Sequence, residues 1–127
     1  MQWIYQATLE RVVDGDTVDV VIDLGFSTFR KERIRLYGVD APEINTEAGK
    51  LAKGFVESWF RDNPRFFIET IVADGKSVSK RDKYGRYLGM IAKQYKDFNQ
   101  ENAVGDPPFN TLNGHLIFIG HAKARVW

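Results

Sequence analysis

Apolar and polar positions alternate first along residues 3–13, from Trp3 to Val13, a stretch rich in aromatic and β-branched residues that reads as a strand. Asp14-Gly15-Asp16 is a turn, with Gly15 able to take a positive φ. In the strand that follows, 17–23, Val18, Val20 and Ile22 share one face and Asp19 and Asp23 the other. Residues 24–28 turn the chain again. The third run, Arg33-Ile34-Arg35-Leu36-Tyr37-Gly38-Val39-Asp40, is a strand that Pro42 forbids continuing. These three strands read as a meander.

The period then changes. Ala48, Leu51, Ala52, Phe55, Val56 and Trp59 recur at helical spacing and predict a helix over 46–61. Asn45 or Thr46 caps it, Glu47 suits its first turn, and Asn63-Pro64 ends it. Gly49 and Gly54 weaken it by about 1 kcal/mol each relative to alanine, and mark close packing on the sheet. Residues 66–72 and 87–92 are further strands, with a hairpin-type turn at Asp74-Gly75 and a polar loop over 81–86. Residues 94–110 show no period and read as an exposed loop. Thr111 caps a second helix over 112–119, stopped by Gly120, and 121–127 is a short extended piece. Five short strands with inserted helices predict a mainly β, α+β fold: a five-stranded Greek-key barrel of OB type with two helices, one domain over 1–127.

One detail of parity bears on chemistry. Arg35 and Asp40 differ by five positions, so in one regular strand they face opposite sides. They share a site only if the strand bends or ends before Asp40, and Gly38 and Pro42 supply the means.

Composition narrows the function classes. Net charge is +1 from 18 basic and 17 acidic residues, which excludes a globally basic nucleic-acid binder but not a local positive patch. With no cysteine, disulfides and thiolate-held zinc are excluded. His115 and His121 are too few for a histidine metal site and read as surface or packing residues. The first ten residues lack a signal-peptide pattern and no apolar run is long enough to span a membrane, so a soluble cytoplasmic protein, or a mature form with its leader removed, is expected, with no membrane partner.

The run 33–43 ends with a firmly held arginine and two carboxylates, Asp40 and Glu43, just past a strand terminus. Phosphodiester chemistry needs such a set: an arginine fork for the anion, carboxylates for a metal, and a base for water. Asp16 and Arg86 are read as completing it. Taken singly, each piece is bland. Asp14-Gly15-Asp16-Thr17 is a surface turn, and not an EF-hand, since the twelfth position is Gly25 rather than glutamate. Arg35 is a half-exposed strand residue, and Asp82-Lys83-Tyr84-Gly85-Arg86 a solvated turn. Trp59, Phe66 and Phe67 are core rather than stacking platforms.

In combination and in this order, the D-G-D-T-V turn, the R-L-Y-G-V-D-A-P-E strand end and the D-K-Y-G-R loop resemble the staphylococcal nuclease family, over roughly residues 4–126. The resemblance implies a calcium-dependent phosphodiesterase that cleaves DNA and RNA with little base preference and leaves 3′-phosphate ends. It assigns Asp16 and Asp40 as Ca2+ ligands, with the main-chain carbonyl of Ala41, where the family often has threonine. Glu43 matches the general base, Arg35 and Arg86 the phosphate-binding arginines, Lys83 and Tyr84 the nucleotide-phosphate site, and Asp14 an acid behind the calcium ligands. Base-tolerant binding would follow from phosphate contacts and stacking on Tyr84 or Tyr87.

The chain departs from that family's secreted prototype in three places. Only Ile44-Asn45 joins Glu43 to the helix in place of a long lysine-rich loop, which is expected to alter substrate affinity. The 94–110 segment is longer. The sequence stops at Trp127 where the prototype continues, so Val126 and Trp127 or a second subunit are expected to close the barrel, leaving monomer and dimer both open. Shortened versions resemble phage- or plasmid-borne members. The competing readings are a catalytically silent barrel that binds nucleic acid or protein, and a phage structural component. Silent copies lose several of Asp16, Arg35, Asp40, Glu43 and Arg86, and this chain keeps all five.

Overall fold

The computed structural model describes residues 3–71, 81–82, 84–99 and 107–125. Lys83, the Asp74-Gly75 turn, Val126 and Trp127 lie outside the described residues. β1 (Trp3–Asp14), β2 (Thr17–Asp23) and β3 (Phe29–Leu36) form the expected antiparallel meander. β4 (Val39–Asp40), helix α1 (Glu47–Asp62), β5 (Arg65–Thr70) and β6 (Tyr87–Ala92) follow, then helix α2 (Leu112–Phe118) and β7 (Lys123–Ala124). Five strands close a barrel in the order β1-β2-β3-β6-β5, and β4 pairs with β7 outside it. The barrel is mixed: β3 meets β6 in parallel through Ile34↔Tyr87, Arg35↔Leu88 and Leu36↔Gly89. This is the mainly β, OB-type barrel with two helices that the pattern predicts.

The barrel interior takes the apolar parity of each strand. Val18, Val20, Ile34, Leu36 and Ile68 are fully buried and meet Val56 and Phe60 of α1 and Leu112 and Leu116 of α2. Phe60, Phe66 and Trp59 pack edge to face, which keeps Phe66 and Trp59 as packing residues. His121 stacks near Phe55 and His115 near Phe109, as packing residues do.

Thr46 caps α1, accepting from the Gly49 amide at 3.0 Å, and Thr111 caps α2 through Gly114. The buried stripe of α1 is Gly49, Ala52, Val56 and Phe60, whereas Leu51, expected inside, is 60% exposed. Gly49 does mark a close approach, but to a loop: a Cβ there would lie 1.8 Å from the Glu43 carbonyl oxygen. Gly54 faces open space.

Residues 95–99 correct part of the expectation of an exposed loop over 94–110, and residues 100–106 lie outside the described residues. Tyr95–Asn99 is a 3₁₀ helix whose Asp97 and Phe98 are buried, Phe98 against Met90 and Ala92 on the outer face of the barrel. Asn113, fully buried, bonds α2 to the barrel. Its amide nitrogen donates to the Tyr37 and Gly89 carbonyls, and its oxygen accepts from the Ile91 amide. No described helix is long and apolar enough to cross a membrane.

Candidate active site

The site forms where β2 and β3 end together. Thr17 pairs with Arg35, and the Leu36 amide continues the ladder by donating to the Asp16 carbonyl at 2.8 Å. β3 stops at Leu36. Gly38 then takes φ +78°, a left-handed conformation glycine adopts without a Cβ clash, and the chain reverses into β4. This is the bend that the parity of Arg35 and Asp40 demands.

Arg35 is only 4% exposed, not the half-exposed residue that its strand position alone suggests. Its Nη1 donates to the carbonyls of Leu36 (3.2 Å) and Val39 (2.8 Å), tying the turn together. Its Nη2 reaches Asp40 Oδ1 at 2.7 Å and Asp16 Oδ2 at 3.3 Å. Both carboxylates therefore converge on a single guanidinium nitrogen.

Asp16 is held through both of its carboxylate oxygens. Its Oδ1 accepts from the Thr17 hydroxyl at 3.0 Å and its Oδ2 from the Ala41 amide at 2.9 Å. Asp14 folds behind it and accepts the Asp16 amide at 3.0 Å. Burial first, and then Asp14, push the Asp16 carboxyl up to about 6, while the Ala41 amide and Arg35 pull the other way. Gly15 is needed for space rather than for a positive φ. A Cβ there would sit 2.8 Å from the Cβ atoms of both Ala41 and Ala52, so the turn seats directly on α1.

Arg86 arrives from the 81–86 loop. Asp82, its side chain 1% exposed, accepts Arg86 Nε at 2.6 Å and the Arg86 and Tyr84 amides at 2.9 Å each. Burial would raise the Asp82 carboxyl, but the Arg86 amide, the Arg86 guanidinium and the Tyr84 amide outweigh it and hold it below the usual range. Arg86 Nη1 reaches Thr17 Oγ1 at 3.3 Å, one hydroxyl away from Asp16. Tyr84 is exposed with the Arg86 guanidinium 5.3 Å from its ring centre. Tyr87, the alternative aromatic, lies under the Arg81 guanidinium and lines a separate cavity with Trp3, Tyr5 and Ile34.

Glu43 is held by its backbone. Its carbonyl accepts from the Thr46 amide at 3.0 Å and hydroxyl at 2.6 Å, a tight turn where the prototype has a long loop. Its side chain is exposed and makes no hydrogen bond or ion pair with a described residue. The structure thus brings together Asp14, Asp16, Arg35, Asp40, Ala41 and Arg86, with Tyr84 at the edge. It does not tie the Glu43 carboxylate to them.

The family profile described as "Staphylococcal nuclease homologue" matches residues 33–103, more than half of the chain. This chain belongs to the staphylococcal nuclease homologues. "Protein ParB" of Escherichia coli is 30% identical over 114 residues, covering 90% of this chain and 54% of that protein. An "Uncharacterized endonuclease" of Escherichia coli O157:H7 is 35% identical over 85 residues, 64% of this chain and 44% of that protein. The chain spans about half the length of these curated relatives.

Three contributors to this nuclease-family site went unread in the sequence. Thr17 was inside the D-G-D-T-V motif and Asp82 inside D-K-Y-G-R, and only the fold shows Thr17 bridging Arg86 to Asp16 and Asp82 holding the Arg86 guanidinium. Arg125 is the third. β7 pairs with β4 through Lys123↔Asp40, and Arg125 Nη1 then sits 3.4 Å from Asp40 Oδ1. Nothing in local pattern announces that contact. Among the described residues no three acidic or histidine side chains converge as a metal cage. A cation here would take two carboxylates and complete its shell with main-chain and water oxygens. Such a hard-oxygen donor set suits calcium, and the buried, acid-backed Asp16 carboxylate is one that a cation would relieve.

Proposed function

We propose that this chain is a calcium-dependent nuclease that hydrolyses phosphodiester bonds of DNA and RNA with low sequence specificity, leaving 3′-phosphate ends. The observation that carries the reading is the Arg35 guanidinium lying between the Asp16 and Asp40 carboxylates, with Arg86 one hydroxyl away. In this reading Asp16, Asp40 and the Ala41 carbonyl hold Ca2+, with Asp14 behind them. The bound ion supplies Lewis-acid polarisation of a phosphoryl oxygen.

The remaining chemistry belongs to the chain. Arg35 is anchored through Nη1 on the Leu36 and Val39 carbonyls, and its Nη2 edge is the one that would bind a phosphate oxygen. Arg86, oriented by Asp82, binds the same phosphate. Negative charge grows on the equatorial oxygens as water attacks. Two preorganised guanidinium groups therefore favour the transition state over the ground state. Glu43 accepts the proton of the attacking water. Its exposure suits a group that must meet solvent water, and the Thr46 clamp fixes its backbone. Lys83 and Tyr84 hold the neighbouring nucleotide phosphate. The two Escherichia coli relatives called endonucleases share this expectation of nucleic acid as substrate.

Plasmid digestion tests the proposal. Cleavage in added calcium, its disappearance in chelator, and products that carry terminal 3′-phosphates are expected. Arg35→Ala or Glu43→Gln should slow cleavage by roughly 10²–10³-fold. No digestion at any calcium concentration would instead favour a silent barrel that only binds.

A further inference from the structure

The β2–β3 hairpin ends in a feature that folding does not explain. Thr28 donates to the Gly25 carbonyl at 2.9 Å, and the residues between them, Phe26 and Ser27, have φ of 54° and 58°. That is the mirror-image turn for which Asn-Gly is favoured, and a bulky residue there is strained. Phe26 recovers nothing by burial, being fully exposed, with Leu24 at 43% and Phe29 at 62% beside it. The tip is nonetheless built. Leu24 donates to the Thr28 carbonyl at 2.9 Å, and Gly25 to the Asp23 carboxylate at 2.8 Å. A phenyl ring is therefore held out into solvent at the apex of an ordered ribbon.

The same ribbon carries the candidate active site at its other end. Side chains two apart on a strand share a face. From Arg35 outward, that face of β3 presents Arg33, Lys31 and then Phe29, with Arg11 alongside from β1. Asp19 pairs with both Arg33 and Arg11, and Glu10 with Lys31; Asp23 lies on the same face opposite Phe29, and Arg65 lines the cavity beside them, so four cations face three acids. Six residues separate Arg35 from Phe29, about 20 Å along a strand. That length is about six base steps of a duplex at 3.4 Å each.

We propose that the β2–β3 hairpin is a duplex-contacting arm. Arg33, Lys31 and Arg11 follow the phosphates away from the site, and Phe26, beyond Phe29 at the tip, wedges its ring against base pairs at least about six steps from the scissile bond. Exposed apolar wedges on basic ribbons serve this use in groove-binding proteins. A stiff duplex lies against both ends of a 20 Å ribbon at once, whereas a flexible single strand gains little from a point so far away. The inference rests on the nuclease reading for its substrate class, and not on the chain's being catalytically active.

The test variant is Phe26→Gly, which removes the ring and places in the turn the residue its backbone favours. Its thermal midpoint should match or exceed the parent's, so loss of function cannot be laid to misfolding. Cleavage of a dinucleotide, which reaches only the site, should be unchanged. kcat/KM on a duplex of about 16 base pairs should fall about tenfold, through KM, and a single strand of that length should be little affected. Lys31→Gln should lower the salt dependence of duplex binding by about one phosphate's worth. Equal duplex kinetics for parent and Phe26→Gly would overturn the arm, as would an equal loss on duplex and single strand. If the parent cleaves nothing, the nuclease reading fails and duplex anisotropy in chelator decides the arm. Weaker binding by Phe26→Gly upholds it, and unchanged binding overturns it.

Discussion

Arg35 Nη2 donates to Asp40 Oδ1 across 2.7 Å, although the two residues stand on opposite parities of the chain. The contact exists because β3 ends at Leu36 and Gly38 reverses the backbone at φ +78°. A Cβ at Gly38 would also lie 2.7 Å from the Pro107 ring. Gly38→Ala is therefore expected to cost about 1–3 kcal/mol of stability. It should also reduce cleavage more than Gly54→Ala, a change that meets no neighbour. Denaturant unfolding and plasmid digestion of the two variants check this together.

Asp16 carries a stability cost in the metal-free protein. Its carboxyl is pushed up to about 6, chiefly by burial, so ionising it opposes folding. In chelator, the parent should lose about 1–3 kcal/mol of stability as pH rises from about 4 through about 6, and then level off. Asp16→Asn should lack that fall and be the more stable protein at neutral pH, while losing cleavage. Added calcium, which binds the ionised form, should restore the parent's stability and leave the variant unmoved. Urea unfolding across this pH range reads all three outcomes.

Asp82 acts through Arg86. Both of its oxygens are committed to the loop, and its side chain is buried. Asp82→Asn keeps the shape and removes the charge that aims the guanidinium. A fall in kcat of about 10–100-fold is expected, the range found when an orienting partner is lost, with KM changing less and a lowered thermal midpoint from loss of the buried ion pair. A loss carried entirely by KM would instead make the loop a binding element only.

Gly49 fixes the position of Glu43. The Glu43 carbonyl fills the space a Cβ would occupy, and Thr46 clamps the same oxygen from the helix cap. Gly49→Ala should displace the turn and slow cleavage with little effect on duplex binding measured in chelator. Thr46→Ala should do the same more mildly, at about 1 kcal/mol of stability.

Local pattern was enough for the elements that local forces decide. Alternation fixes 17–23 as β2 to the residue, and Thr46 and Thr111 announce their helices because an N-cap is a contact between near neighbours. The three motifs also identify the segments that meet, since Asp16, Arg35, Asp40 and Arg86 each lie at a strand end or turn. What pattern did not reach depends on distant partners. The parallel closure of β3 on β6 joins segments with α1 and β5 between them. Leu51 reads as core by its type, yet the buried stripe runs through Gly49, a residue read as weakening the helix. Phe98 and Asp97 sit in a stretch without period, because a single 3₁₀ turn is too short to show one. Nothing local marks Asn113, whose partners Tyr37 and Gly89 are distant in sequence.

A calcium titration by calorimetry tests most directly whether the Asp16–Asp40 pair is a metal site at all. The account predicts that the parent binds a single ion per chain with proton release near pH 6, and that Asp40→Asn abolishes the binding and the cleavage together. Undiminished calcium binding by Asp40→Asn, or cleavage by the parent that persists in chelator, would contradict it.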